Sequence, residues 1–375
     1  MCSSDLVDLT PFLLAWRTIT LRDREVIDAL VHPDQAQPAP ALARALALWP
    51  GSYYWSDEAD GRHLVLTRPL TRRRETWALH LTLFLATLAT TTLAGAVFSG
   101  VIPYDPNPFD LFTGAYPFPP HVARAWAAGL EFSLPLVAIL LVHELGHYVT
   151  ARSYDLDVSP PYFIPVPLVP SFIGTMGAFI RLRTVLSDRR QLLDVGVAGP
   201  IVGFVVAAPV LAFGLALSHP LPGHGEQAGL LLAIGSDTAG LGDSLVTLAL
   251  RHLIFGSVPA IRVHVIAFAG WIGMFVTMLN LLPIAQLDGG HILYAALPRW
   301  HQRVALAFWV LVILLGRFWP GWYVWGFLVL ALSRGRLAHP PVLDVERPLP
   351  PGRRAVAWAA LLLFIATFTP IPFRI

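Results

Sequence analysis

The chain has 375 residues, 55% of them hydrophobic and only 13% charged, with a mean hydropathy of +0.61. A soluble domain carries about 25% charge, so an ordinary soluble enzyme is excluded and a polytopic membrane protein is expected. The net charge of +2 gives no footing for a nucleic-acid partner, and the single Cys2 excludes a disulfide framework and any cysteine-based metal or nucleophile site.

In chain order, Met1–Leu6 contains Cys-Ser-Ser-Asp-Leu, which is how the end of a common sequencing adapter translates; these residues are expected to be an assembly scar and carry no fold reasoning. Residues 1–75 are expected to form a small cytoplasmic region. Leu21–Val31 and Ala41–Trp49 pattern as amphipathic helices, separated by Pro33 and a Gln-Ala-Gln-Pro-Ala-Pro linker, and His63–Thr67 patterns as a short strand. Arg68 and Arg72 to Arg74 then precede a first span at about Trp77–Val97, which contains no Asp, Glu or Arg. The positive-inside rule puts the N-terminus in the cytoplasm, and a prokaryotic cytoplasmic membrane is expected. Residues 101–123 are rich in proline and aromatics and are expected on the outer face.

The second span, about 125–151, contains His143-Glu144-Leu-Gly-His147 near its inner end. On a helix, residues four apart share one face, about 6 Å from each other. Two such imidazoles can hold one Zn²⁺, with Glu144 beside them as general base for water. An ionisable cluster inside an apolar span is costly and marks function by default; the bland alternative is a pair of interfacial helix-end histidines.

Residues 159–170 hold five prolines, which excludes a helix and favours extended backbone. Ile173–Arg183 alternates as a strand would, with Gly174-Thr175-Met176-Gly177 at a turn. Apolar extended chain at a membrane must pair or bury its backbone, so a membrane-associated β-hairpin is expected, its free edge available to an extended substrate. An ordinary loop is the alternative. A third span follows at about 193–217, opening with Gly196-Val-Ala-Gly199-Pro200 and Gly203, small residues that allow close helix contact. Residues 218–262 pattern as a polar loop with an amphipathic stretch at Asp243–Phe255.

The fourth span, about 264–297, carries Asn280-Leu-Leu-Pro283-Ile-Ala-Gln-Leu-Asp288-Gly-Gly-His291. Pro283 and Gly289-Gly290 predict a break, tolerated at membrane depth where the chain lines an enclosed cavity. Asp288 is this span's sole carboxylate and lies toward the same side as His147, which makes it the natural third zinc ligand, leaving a fourth position for water. Short spans at about 304–316 and 320–333 form a hairpin through Trp319–Trp322 or one interrupted unit. A cytoplasmic stretch with His339-Pro340-Pro341 and a final span at about 355–370 complete the chain. The expected fold is therefore a membrane all-α bundle of about six to seven transmembrane helices, with a β-hairpin and a small soluble N-terminal region.

His143-Glu-Leu-Gly-His147 in one span and Asn280-x-x-Pro283-x-x-x-Leu-Asp288-Gly289 in a later one resemble the site-2 protease family of intramembrane zinc metalloproteases. Gly174-Thr-Met-Gly177 and Ala198-Gly-Pro200 extend the resemblance through most of residues 125–297, and His339-Pro-Pro341 is similar to the branch with cyanobacterial and plastid homologues. The resemblance implies Zn²⁺ on His143, His147 and Asp288, Glu144 as catalytic base, and Asn280 as a catalytic residue that orients the site or stabilises an oxyanion. It implies a core at 76–300 that cleaves transmembrane-protein substrates near the cytoplasmic side among membrane lipids, with 301–375 as C-terminal helices. A zinc-dependent transporter or a catalytically silent scaffold remains as an alternative, although no internal repeat is visible and Glu144 is intact.

Overall fold

The structure is a computed structural model that describes residues 9–20, 24–35, 40–49, 51–58, 60–69, 75–102, 122–167, 173–183, 186, 188–221, 228–234, 237–340, 342, 345 and 348–374. The adapter-like hexapeptide, most of the 101–123 connection and Pro341 lie outside them. The chain divides into two compact units, one of Met1–Glu75 with Asp155–Asp157 and Leu182–Val185, the other of the remaining residues.

The first unit is a four-stranded antiparallel sheet, β1 (Leu13–Thr20), β2 (Arg24–Val31), β3 (Ser52–Glu58) and β4 (Gly61–Pro69), in the order β1-β2-β4-β3, with helix α1 at Pro40–Ala47. Leu42 and Leu46 of α1 pack on Ile27, Ala29, Leu64 and Leu66. Ala41–Trp49 is helical largely as its pattern predicts, and His63–Thr67 lies inside β4. Leu21–Val31, however, is not a helix, because Arg24–Val31 is strand. Its buried carboxylates find partners on the neighbouring strands: Arg68 Nε donates to Glu25 at 2.6 Å, and Arg17 and His63 flank Asp28 at 2.6–2.7 Å. These cross-strand pairs override the local helical pattern.

The second unit is built on α2 (Trp77–Phe98), α3 (Val122–Ser153), α4 (Arg189–Ala216) and α6 (Val265–Asn280), the interval before α6 holding α5 (Leu245–Phe255). Among the described residues, three helices are long and apolar enough to cross a membrane: Trp77–Phe98, Ala123–Ser153 and Arg189–Ala216. Threonine hydroxyls in α2 bond back to carbonyls one turn earlier, and Thr92 meets Ser133 of α3 at 2.8 Å where Gly95 and Gly129 let the two backbones touch. Phe132, Phe268 and Trp271 stack through the centre, and Phe98 meets Phe132 and Phe268 edge-on. The helix α4 starts at Asp188, whose carboxylate accepts from the backbone N–H of Arg190 and Gln191.

The expected fourth span is two helices, α6 and α7 (Asp288–Ala296), with residues 281–287 non-helical between them. Here Ala285 has φ +50°, and the loop folds so closely on Gly289 that a Cβ there would lie 2.0 Å from the Leu281 carbonyl oxygen. Helices α8 (His301–Leu315) and α9 (Gly321–Leu332) form the hairpin version of the two readings, tied by Trp309 Nε1–H to the Gly326 carbonyl at 3.0 Å. The last helix, α10 (Pro351–Thr367), is anchored where Arg353 grips Asp194 of α4 at 2.7–3.0 Å and Tyr154 donates to the same carboxylate.

An all-α description is incomplete for this unit too. The stretch read as a loop at 218–262 contributes β7 (His219–Pro220), β8 (Gly229–Ile234), β9 (Asp237–Leu241) and β10 (Ala260–Arg262). With β11 (Phe373–Arg374) they form a sheet ordered β11-β9-β8-β10-β7, in which β10 runs parallel to β8. Leu230, Leu231 and Leu232 are all buried, the run expected of a strand covered on both faces. The amphipathic stretch is α5, which opens on a capping box between Ser244 and Thr247.

The expected hairpin is present. Strand β5 (Tyr162–Pro165) pairs antiparallel with β6 (Thr175–Phe179). It docks on α2 through Thr90 Oγ1, which donates to the Gly174 carbonyl at 2.6 Å, and through His80, which donates to the Pro161 carbonyl at 3.0 Å. Among the described residues β6 has no second strand partner.

Candidate metal centre

Helix α3 projects His143, Glu144 and His147 inward, all buried, and α7 projects Asp288 from its first residue. The histidine Nε2 atoms are 3.2 Å apart, and Asp288 Oδ2 lies 3.3 Å from His143 Nε2 and 3.2 Å from His147 Nε2. The three ligand atoms thus form a nearly equilateral triangle. Tetrahedral Zn²⁺ with ligands at about 2.0–2.1 Å separates them by about 3.3 Å, so the triangle fits that ion.

The second layer agrees with this fit. His147 Nδ1 lies 2.7 Å from the Val195 carbonyl, which can only accept, so Nδ1 carries the proton and Nε2 turns its lone pair into the triangle. The glycines of α4 make the space. A Cβ on Gly199 would lie 2.1 Å from His147 Nε2, and one on Gly203 would lie 3.0 Å from His143 Nδ1. Asn280, at the end of α6, brings its amide nitrogen to 3.1 Å from His143 Nε2. The backbone N–H of Ile180, immediately after β6, is near enough to the Glu144 carboxylate to favour its charged form, so the hairpin ends beside the general-base candidate.

The structure therefore brings together His143, Glu144, His147, Asn280 and Asp288. It treats the turn residues differently. Thr175 is buried, with its hydroxyl 2.9 Å from the Ile164 carbonyl and accepting the Gly177 N–H, which is a hairpin-holding role for its side chain. Met176 is exposed, and Gly174 and Gly177 hold φ of +82° and +97°. The carbonyl of Val195 and the N–H of Ile180 were not found by sequence reasoning, because backbone groups carry no residue signature; the glycine spacing on α4 signalled only close helix contact. His291 and His339, both present in the quoted motifs without a role, pair at 2.7 Å one helical turn from Asp288.

Fold and site together define a largely helical protein with spans apolar enough for a membrane and a two-histidine, one-aspartate cluster whose geometry suits a metal ion. The sequence model of peptidase family M50 matches residues 131–316, and by that region the chain belongs to peptidase family M50, the site-2 protease family. Among curated proteins, the chain is 31% identical over 248 residues to probable zinc metalloprotease EGY1, chloroplastic, of Arabidopsis thaliana, covering 65% of this chain and 43% of that protein. It is 29% identical over 253 residues to the protein of the same name from Oryza sativa subsp. japonica, covering 64% and 41%. With probable zinc metalloprotease EGY2, chloroplastic, of Oryza sativa subsp. indica the identity is 30% over 255 residues, covering 65% and 43%. The chain thus spans under half the length of these relatives. They fit the plastid branch and do not support the expectation of a prokaryotic cytoplasmic membrane. No solved structure matches the chain significantly.

Proposed function

We propose that the chain is an intramembrane zinc metalloendopeptidase that hydrolyses peptide bonds in or beside transmembrane segments of membrane-protein substrates, close to the arginine-rich face of the membrane. The observation that carries this reading is the triangle of His143 Nε2, His147 Nε2 and Asp288 Oδ2 at 3.2–3.3 Å, with Glu144 buried beside it. In this reading residues 76–300 form the proteolytic core, 301–375 the supporting C-terminal helices, and 1–75 a small peripheral region.

His143, His147 and Asp288 would hold Zn²⁺, whose Lewis acidity acidifies water to a pKa of about 7 and polarises a carbonyl. Glu144 takes a proton from the attacking water and later delivers it to the leaving amine, a contribution of about 10²–10⁴-fold. The Ile180 N–H, at the end of the hairpin, favours the charged form of that carboxylate. The Asn280 amide donates to the scissile carbonyl oxygen as it gains charge. A transmembrane helix hides its carbonyls in its own hydrogen bonds, so it must unwind before it reacts. The open edge of β6 offers strand pairing to the unwound segment and leads it toward Glu144. The test is to map, by mass spectrometry, the bond cut in a single-span reporter co-reconstituted with the protein. Cleavage in the apolar segment near its arginine-rich end is expected; cleavage confined to a soluble flank rules the proposal out.

A further inference from the structure

Away from the ligand triangle, three imidazoles gather around Tyr294: His291, His301 and His339. Asp288, His291 and Tyr294 follow one another along α7 at three-residue steps, so each neighbours the next on the helix surface. His339 comes from the segment after α9, beyond residues 131–316 that match the family model. Pro340 biases it toward extended backbone. It grips α7 twice: its ring stacks on Tyr294 with centroids 4.6 Å apart, and its Nε2 meets His291 Nδ1 at 2.7 Å. The buried His301, from the start of α8, meets the His339 ring edge-on at 5.9 Å.

The hydrogen bonds fix where the protons sit. His339 Nδ1 lies 2.5 Å from the Pro340 carbonyl, which can only accept, so Nδ1 carries the His339 proton. Its Nε2 then offers a lone pair, and His291 must donate to it from Nδ1. The neutral His291 ring therefore holds its proton on Nδ1 and none on Nε2. His291 also stands in line with the ligand histidines. Along α4, Gly203 faces His143 and Gly199 faces His147, while a Cβ on Gly196 would lie 2.9 Å from the Cβ of His291. Helix α7 needs a hold of this kind. It follows the non-helical residues 281–287, and Leu287 at its start supplies no side-chain cap. Gly289 and Gly290 seat its first turn against the carbonyls of Leu281 and Ala285, and His339 holds the two turns after that.

We propose that His339 is a positioning residue for the metal centre. By accepting from His291 and stacking on Tyr294 it fixes the rotation of α7, and with it the place of Asp288 Oδ2 in the ligand triangle. The C-terminal segment thus acts on the site as well as supporting the helices around it. This inference rests on the triangle being a metal site and is independent of whether the chain is a protease.

The full chain with isotope-labelled histidine, reconstituted in phosphatidylcholine vesicles, tests this by solid-state NMR, in which ring shifts separate Nδ1–H from Nε2–H imidazole. There are 13 histidines, so the His291 signal is taken as the difference between wild type and His291→Gln. Wild type should show the Nδ1–H form. His339→Phe keeps a ring for Tyr294 but no acceptor, so the His291 proton should move to Nε2. Zinc affinity, measured by chelator competition on the same variant, should fall about 10–100-fold, as when other outer partners of a metal site are lost. His339→Gln, whose side-chain oxygen can accept the same proton, should restore both the tautomer and the affinity. An Nε2–H or doubly protonated His291 in wild type overturns the proposal, as does wild-type zinc affinity in His339→Phe. A loss of affinity that His339→Gln fails to restore assigns His339 to packing and contradicts it. Absence of zinc binding by wild type removes the metal-site reading and the proposal with it, an outcome distinct from a zinc-binding wild type indifferent to residue 339.

Discussion

Gly199 lies directly against the imidazole of His147: a Cβ built on it would stand 2.1 Å from Nε2, inside any permissible contact. Its neighbour Gly203 bears on His143 Nδ1 less severely, at 3.0 Å. Replacing Gly199 with Ala must therefore turn the His147 ring or push α4 away, and turning the ring breaks the 2.7 Å bond to the Val195 carbonyl. The expected result for Gly199→Ala is a loss of zinc affinity of about 10–100-fold, the usual effect of disturbing a ligand's supporting contacts. Gly203→Ala should lose less. Competition with a chromogenic chelator on the purified variants measures both.

Glu144, buried, and Asp288, partly buried, are carboxylates near the same imidazoles, yet only Asp288 reaches the triangle of ligand atoms. Glu144→Gln should keep zinc at the wild-type stoichiometry while lowering turnover by about 10²–10⁴-fold. Asp288→Ala should lose zinc as well. Metal analysis of the two proteins distinguishes the roles; equal zinc in both would remove Asp288 from the ligand set.

The hairpin is placed by its glycine backbone together with the Thr90 and His80 side chains of α2. Gly174 has φ +82°, and a Cβ on it would lie 2.5 Å from the Thr90 carbonyl oxygen, while Gly177 has φ +97° with open space around it. Gly174→Val should detach the hairpin from α2, and Gly177→Val should strain β6 without a clash. Both should impair substrate turnover with zinc retained, Gly174→Val the more severely. Turnover equal to wild type in both variants removes the hairpin from substrate handling.

In the first unit, His63 sits 2.7 Å from Asp28 and 3.1 Å from Asp60. The hydrogen bond to Asp28 raises the His63 pKa above its ordinary value of about 6.5, against the opposing effect of burial. For Asp28, burial pushes upward but the bonds from His63 and Arg17 outweigh it, so its pKa falls. A raised histidine pKa stabilises the fold fully below the unfolded value, and that stability is lost as pH rises through the folded one. The lowered Asp28 pKa adds stability above about 3.8 that is lost as pH falls further. Amide exchange in β2 and β4 should therefore speed up as pH is raised past 6.5, beyond the intrinsic pH effect. In His63→Gln that excess should disappear.

Much of the site is readable because its chemistry is written in side chains. His143, Glu144, His147, Asn280 and Asp288 stand out as polar residues in apolar spans, where their cost demands a purpose. The hairpin is equally visible, since the prolines of 159–170 forbid a helix and leave few alternatives. The errors arise where partners are distant in sequence. Glu25 and Asp28 read as the polar face of a helix until Arg68, Arg17 and His63 are placed beside them by strand pairing. The sheet at 219–262 was hidden for a similar reason, because its edge strand β11 comes from residues 373–374, more than a hundred positions away. The fit of His147 to Val195 was illegible in principle, being made by a carbonyl.

Cleavage of a single-span reporter in proteoliposomes, with zinc content measured on the same preparations, tests the proposed chemistry most directly. Wild type should cut the reporter and stop when the metal is chelated, and Glu144→Gln should hold the same zinc and cut nothing detectable. Comparable cleavage by zinc-replete Glu144→Gln, or cleavage by wild type that survives complete removal of the metal, would contradict the reading of this triangle as a proteolytic centre.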